Sequence, residues 1–268
     1  MPEITSAKLS IQPDLLPRGR RARVLDVGCG DGRHILAAAA RGCYAVGVDY
    51  DPGELRKARA RLGGAPVDLI AADASRLPFR DGVFEAVICT ETLEHLPDDT
   101  GAMREIARTL VEGGLLHGAV PSHFTEIAYF ALSRGYRDAP GGHVRIYAPQ
   151  GLFDELANTG LRVTEMRYIH FVDSLAWLRF CLTDFLRPRR RPRTDFEAAV
   201  LVAVAAERPV ASWRTRLREG IAKSRFIAAL EAAGALVWPK SLTFVASRVP
   251  ADPALHEDTA RKREVAQP

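Results

Sequence analysis

No apolar run in this chain approaches the roughly 18 residues that a bilayer-crossing helix needs, so a membrane-spanning helix is not expected. Cysteine is scarce, at four of 268 residues (Cys29, Cys43, Cys89 and Cys181), with no C-x-x-C pair and no ligand-like cluster. That argues against a disulfide framework and a thiolate metal site, and a reducing, cytoplasmic setting follows. Three of the four fall in predicted strands or strand ends, where cysteine behaves as a small apolar residue. A basic-then-apolar signal pattern is also missing at the N-terminus. Neither charge sign dominates: 37 Lys and Arg face 33 Asp and Glu, for a net charge of +4. So mild an excess reads as a solvated basic surface before it reads as a footprint for nucleic acid, anionic lipid or an acidic ligand. Aromatics make up 7% and are not interleaved with the basic residues as stacking platforms, so nucleic acid is not expected as a partner. What remains, 47% hydrophobic and 26% charged, is ordinary for a globular chain with a sizeable core and one domain plus an elaboration.

The feature that is present is a glycine-rich turn, Val24-Leu-Asp-Val-Gly-Cys-Gly-Asp-Gly-Arg-His34. It reads as a short buried strand running into Gly28, Gly30 and Gly32 and then into an alanine-rich helix. Glycine at alternate positions removes side chains that would hold a ligand off the backbone and permits positive φ in the turn. The free N–H groups of the following helix then point into the gap. Asp26 lies inside the strand, facing the same gap. This pattern predicts a nucleotide-type cofactor site.

From Val24 to about Pro121 strand and helix patterns alternate. Strands are predicted at 24–27, 44–48, 67–71, 84–89 and 115–120, and helices at 31–41, 53–62 and 100–111, the last ended by Gly113-Gly114. The strands are apolar on both faces, which predicts a doubly wound, Rossmann-like α/β sheet with ligands at the strands' carboxyl ends. Further helices are predicted at 124–133 and 149–159, with later strands at 161–168 and 241–248. The organisation expected is an N-terminal arm (1–22), a core (23–168), a helical insertion or lid between strands six and seven (169–240), a last core strand (241–248) and a disordered tail (249–268).

A glycine turn with an acidic residue ending the next strand, here Asp49, is common to dinucleotide and S-adenosylmethionine (SAM) sites. The spacing is G-x-G-x-G, whereas the dinucleotide fingerprint is G-x-G-x-x-G. A third acid, Asp73 in Ala71-Ala-Asp-Ala74, ends the third strand. Three carboxylates on successive strand tips suit an amino group, a ribose and an adenine, and would repel a pyrophosphate. Taken alone, Asp73 is as well explained as a turn or helix-capping aspartate.

Together with Gly47-Val-Asp49, Asp73-Ala-Ser-Arg-Leu-Pro-Phe79, Phe84-Glu-Ala-Val-Ile-Cys-Thr90, Glu94-His-Leu-Pro97 and Arg104-Glu-Ile-Ala-Arg-Thr-Leu-Val-Glu-Gly-Gly114, the turn resembles the class I SAM-dependent methyltransferases of type 11. Gly142-His-Val-Arg145 is similar to a later part of that family. The resemblance implies a seven-stranded sheet with an antiparallel last strand. It implies Asp26, Gly28, Gly30 and Gly32 along the methionine moiety, Asp49 at the ribose, Asp73 and Ala74 at the adenine, and Thr90 near the sulfonium. Cys29 and Tyr50 complete the expected cofactor set. Val111-Glu112 departs from the family's usual Lys-Pro, and Glu112 is expected on the surface.

For the acceptor, His95, His143 and Glu94 are the candidate catalytic residues, either histidine serving as a base toward a hydroxyl. The plainer alternative is that His95 braces the turn before Pro97 and His143 bonds a carbonyl. Glu91-x-x-Glu94-His95 with His143 also resembles the metal-dependent O-methyltransferases of ubiquinone biosynthesis and of small-RNA 3′ ends, which implies one divalent ion.

In the insertion, Phe171, Leu175, Leu178 and Leu182 recur at helical spacing. Arg187-Pro-Arg-Arg-Arg-Pro-Arg193 and a basic amphipathic stretch from Trp213 to Leu230 follow. The choice lies between a peripheral contact with anionic membrane and a lid or homodimer-forming helical pair. The reading that results is methyl transfer from SAM to a small or lipid-linked acceptor, O-methylation favoured. The alternatives are an NAD(P)-dependent oxidoreductase and a catalytically silent SAM-binding domain.

Overall fold

A computed structural model of the chain describes residues 9–137, 142–186 and 225–250. Seven strands, β1 (Arg23–Val27), β2 (Tyr44–Asp49), β3 (Val67–Ala71), β4 (Phe84–Thr90), β5 (Leu110–Pro121), β6 (Leu161–Ile169) and β7 (Ser241–Arg248), form one sheet. Their order is β3-β2-β1-β4-β5-β7-β6, and β7 runs antiparallel to both neighbours. The helices are α1 (Arg33–Ala40), α2 (Pro52–Leu62), α3 (Asp99–Thr109), α4 (His123–Leu132), α5 (Arg134–Arg137), α6 (Pro149–Asn158), α7 (Phe171–Leu186) and α8 (Arg225–Val237).

Period-two alternation divides β1, β2 and β4 between two cores. On β1, Leu25 and Val27 join the core that contains Met103 and Ile106 of α3 and Leu152 and Leu156 of α6. Val24 joins the other, with Ile35 and Leu36 of α1 and Ala58 and Leu62 of α2. The same alternation on β4 sends Val87 and Cys89 one way and Ala86 and Ile88 the other. Asp26 and Thr90 are therefore in phase with the α1 side. Helix α3 buries Ala102, Met103, Ile106 and Ala107 at helical spacing, and the Asp98 side chain caps it by accepting from the Gly101 N–H at 2.8 Å. Helix α2 starts with the Asp51 cap and Pro52 and stops at Gly63, whose φ is +55°.

One expectation needs correction. The helix predicted at 100–111 ends at Thr109, and Gly113-Gly114 lies inside β5 rather than closing a helix. The pairing of β4 with β5 shifts register between Phe84 and Ala86, and a Cβ on Gly114 would press on the Val111 carbonyl at 2.9 Å, so this glycine pair belongs to a strand irregularity. The described part of the N-terminal arm packs against the sheet's second core. Leu9, Ile11 and Leu16 are buried in the second core, and the Arg41 guanidinium donates to the Leu16 carbonyl at 2.8 Å. In α7, Ser174 and Cys181 are buried, with Ser174 bonded to the Tyr129 hydroxyl, while Leu175 and Leu182 are over a third exposed.

All four cysteines are free and buried, and Glu112 is exposed. Among the described residues no helix is long and apolar enough to cross a membrane. The basic run at 187–193, most of the stretch at 213–230 and the tail from 251 lie outside the described residues.

Candidate functional site

The three turn glycines all have positive φ, +68° at Gly28, +51° at Gly30 and +80° at Gly32, each for a different reason. A Cβ on Gly28 would overlap the Thr92 side chain, and one on Gly32 would meet the Ala58 Cβ at 3.2 Å. A Cβ on Gly30 would meet nothing within 4 Å. Gly30 is thus the glycine whose missing side chain leaves open space, and the other two serve packing. Cys29 turns its side chain inward, within contact range of where Gly47 lacks a Cβ, and burial pushes its thiol far up. Its backbone is fixed in the bend, the N–H donating to the Val48 carbonyl and the carbonyl accepting from the Gly32 N–H, both at 2.9 Å.

Asp49, at the tip of β2, braces this bend. Its Oδ2 accepts from the Gly30 N–H and its Oδ1 from the Asp51 N–H, both at 2.9 Å. A carboxylate offers about four lone-pair sites, so two remain for a ligand. Tyr50 is 82% exposed beside it. Beyond β3, Asp73 Oδ1 accepts from both the N–H and the hydroxyl of Ser75 at 2.8 Å, which holds its carboxyl below the usual range. Asp73 is therefore a turn-capping aspartate whose Oδ2 is not used in that cap. Ala74 is buried in the first core.

Asp26 departs from the picture of three charged tips. It pairs with Gly47 rather than with the end of β2, is 1% exposed, and neither carboxyl oxygen has a hydrogen-bond partner. Burial, reinforced by the Asp49 and Asp31 charges, pushes its carboxyl up to about 8. The Asp26 and Asp73 carboxyls are thus shifted in opposite directions, Asp26 as a buried acid and Asp73 as a capped carboxylate. Thr90, at the tip of β4, bonds His34 at 2.9 Å.

On the other side of β4, the 3-10 turn Leu93–His95 places Glu94 and His95 beside His143. One donor atom from each of the three lies within 4.8 Å of the others, and the two imidazoles meet edge to face at 4.8 Å between centroids. Glu91, whose backbone has φ +51° and whose N–H bonds the Ala119 carbonyl, lies outside this three-residue group but near enough for its charge to act on Glu94. Glu94 is 1% exposed with no partner on either carboxyl oxygen, and burial with the Glu91 and Glu126 charges pushes it well above the carboxylate range. His95 Nδ1 lies 3.4 Å from the Gly142 carbonyl, and His143 Nδ1 is bonded to Glu126, itself 2% exposed and held at both oxygens by the Tyr136 hydroxyl at 3.1 and 3.0 Å.

Residues 25–117 match the family described as a methyltransferase domain, type 11. The chain is 35% identical over 156 residues to a malonyl-[acyl-carrier protein] O-methyltransferase of Geobacter sulfurreducens, covering 54% of this chain and 57% of that protein. It is 31% identical over 157 residues to a ubiquinone biosynthesis O-methyltransferase of Rhizobium etli, covering 56% and 63%. The matched region thus spans little more than half the length of these relatives. In fold it is similar to phosphoethanolamine N-methyltransferase 2 of Haemonchus contortus, solved with SAM, at TM-score 0.57 and 17% identity over 90% of this chain and 52% of that one.

Within the matched region and its flank, sequence reasoning missed three residues. His34 stood inside the quoted glycine stretch, and a histidine two residues after the last turn glycine was a usable signal. Glu126 and Tyr136 gave none, since a carboxylate on an apolar helix reads as surface until the fold buries it.

Proposed function

We propose that this chain transfers a methyl group from SAM to a hydroxyl oxygen of a small or lipid-linked acceptor. The observation that carries this is the open space over Gly30, braced by Asp49 and bordered by the strand tips of β3, β2, β1 and β4. Its residues fit the donor: a side-chain-free bend, two spare acceptor positions on Asp49 for ribose hydroxyls, Asp73 Oδ2 for an adenine amine, and the orphaned carboxyl of Asp26. When bound, SAM supplies an electrophilic methyl on a positively charged sulfur. The chain's own part is to hold the acceptor in line, exclude water and take up the hydroxyl proton. For that proton the candidates are His95 and His143. Glu126 occupies His143 at Nδ1, which leaves Nε2 as the nitrogen able to accept it. Glu94, kept neutral by burial, is suited to donate a hydrogen bond rather than to act as base.

A lipid-linked acceptor is supported by topology. Helix α4 leaves the tip of β5, α7 leaves the end of β6, and α8 ends just before β7 at the same edge. These helices expose Phe124, Ile127, Val172, Leu236 and Val237, and the basic run 187–193 follows α7 in sequence. The domain division and the lid role of 169–240 are part of this proposal.

A second reading adds a divalent cation. The Glu94, His95 and His143 donor set fits one, because the Nδ1 atoms of both histidines are engaged elsewhere and a carboxylate–histidine support is typical of imidazole ligands. Such an ion lowers the pKa of an oxygen it binds.

The test is calorimetric titration with SAM and with NADH, followed by incubation with labelled SAM and cell extract and mass spectrometry of the labelled product. SAM binding with a methylated product supports the proposal. NADH binding alone supports the oxidoreductase, and SAM binding with no product supports a silent domain. Failure to pellet with anionic vesicles at physiological salt removes the membrane contact.

A further inference from the structure

The glycine turn delivers the chain into α1, and the second residue of that helix, His34, is 3% exposed. Its ring bridges two segments far apart in sequence. Nδ1 lies 2.9 Å from the Thr90 hydroxyl oxygen at the tip of β4, and Nε2 lies 3.2 Å from the backbone nitrogen of Ser10 in the N-terminal arm. The second contact decides the first. A backbone N–H can only donate, so Nε2 must carry the lone pair. Burial, with Arg33 nearby, pushes the imidazole down to about 3 and keeps the ring neutral. A neutral ring with its lone pair on Nε2 has its one hydrogen on Nδ1, and that hydrogen is donated to Thr90.

The consequence falls on Thr90. Its oxygen is an acceptor toward His34, so its own hydrogen must point elsewhere, and no described residue receives it. Thr90 is 6% exposed at the strand tip next to the glycine bend. We propose that His34 is a positioning residue that turns the Thr90 hydroxyl into a hydrogen-bond donor toward an oxygen of the ligand held at the bend, such as a carboxylate. This proposal rests on the cofactor reading above.

Two measurements on the full chain test it separately from that reading. The first needs no ligand. Long-range proton–nitrogen spectra of the ¹⁵N-histidine-labelled chain, assigned by comparison with His34→Asn, should show His34 as the Nδ1–H form, without titration between about pH 5 and 8. An Nε2–H ring, or one that charges in that range, overturns the proposal whatever binds. The second is SAM affinity by calorimetry. Thr90→Val and His34→Leu should each weaken binding by about threefold to tenfold, the range for one hydrogen bond, and the double variant should be no weaker than either alone. His34→Asn can place an amide N–H near the Nδ1 position, so it should bind within about twofold of wild type and serves as the folded control should His34→Leu not fold. Additive losses, or a weak His34→Asn variant with wild-type stability, overturn the positioning role. Wild-type chain that binds no SAM refutes the cofactor reading and, with it, this proposal, even if the ring is the Nδ1–H form.

Discussion

Asp49 carries a brace and, in the function proposed above, a ribose contact, and its replacement with alanine separates the two. It holds the glycine bend through the Gly30 and Asp51 N–H groups, each at 2.9 Å, and keeps two lone-pair sites for a ribose. The side chain is only partly buried, so each lost brace costs about 0.5–1.5 kcal/mol of fold stability, or about 1–3 kcal/mol for the pair. For a chain of this size that is a fall in Tm of several degrees. Loss of the charge-assisted bonds to the ribose adds about 1–3 kcal/mol to the binding free energy, a weakening of about 5- to 150-fold. Calorimetry with SAM measures one effect and thermal unfolding of the free chain the other. Asp49→Asn refines the comparison: its amide oxygen can still accept one N–H, but its NH2 group then faces the second donor. Stability should recover only in part, and affinity should stay low. A variant that melts earlier yet binds SAM like wild type would refute the reasoning, since Asp49 would then be a brace alone and the ribose would lie elsewhere.

Gly30→Ala should fold, at a cost of about 1–2 kcal/mol for an alanine at positive φ, and should lose SAM binding, because its new methyl enters the open space. Gly28→Ala should instead lower Tm more, by overlap with Thr92, and an equal Tm loss in the two variants would contradict this division of labour. Asp26 carries a pH prediction. Its carboxyl is raised from 3.8 to about 8, so its folded-state cost is absent below about pH 4, grows as the unfolded chain ionises, and levels off above about pH 8. Denaturant titrations should therefore show Asp26→Asn gaining on wild type by about 1.4 kcal/mol per pH unit between about pH 5 and 7; a difference that stays constant with pH would contradict it. If a cation does bind at Glu94, His95 and His143, Glu126→Gln should lower its affinity by about 10- to 100-fold in Mn²⁺ or Zn²⁺ titrations, whereas no heat with the metal-stripped wild type removes the second reading.

The geometry of the glycine bend was legible in the sequence because its logic is local. Strand, glycines, helix start and the acid ending the next strand follow one another within Val24–Asp49, and each local preference agrees with the fold. Protonation was not legible. Asp26 reads as a third carboxylate until the α1 side of the sheet closes over it, and only then does desolvation outweigh its charge. The same is true of the acceptor half. Glu126, Tyr136 and His143 come from α4, α5 and the loop after α5, so their meeting depends on how those helices pack, which no periodicity encodes. The inward side of α7 was not legible for a related reason: it carries Ser174, bonded to the Tyr129 hydroxyl, and spacing alone does not mark a serine as buried. Where polar groups are buried, a side chain's role is set by the partners the fold supplies. Specificity in this chain is therefore to be sought at the orphaned carboxyls of Glu94 and Asp26 rather than at the apolar positions that sequence spacing picks out.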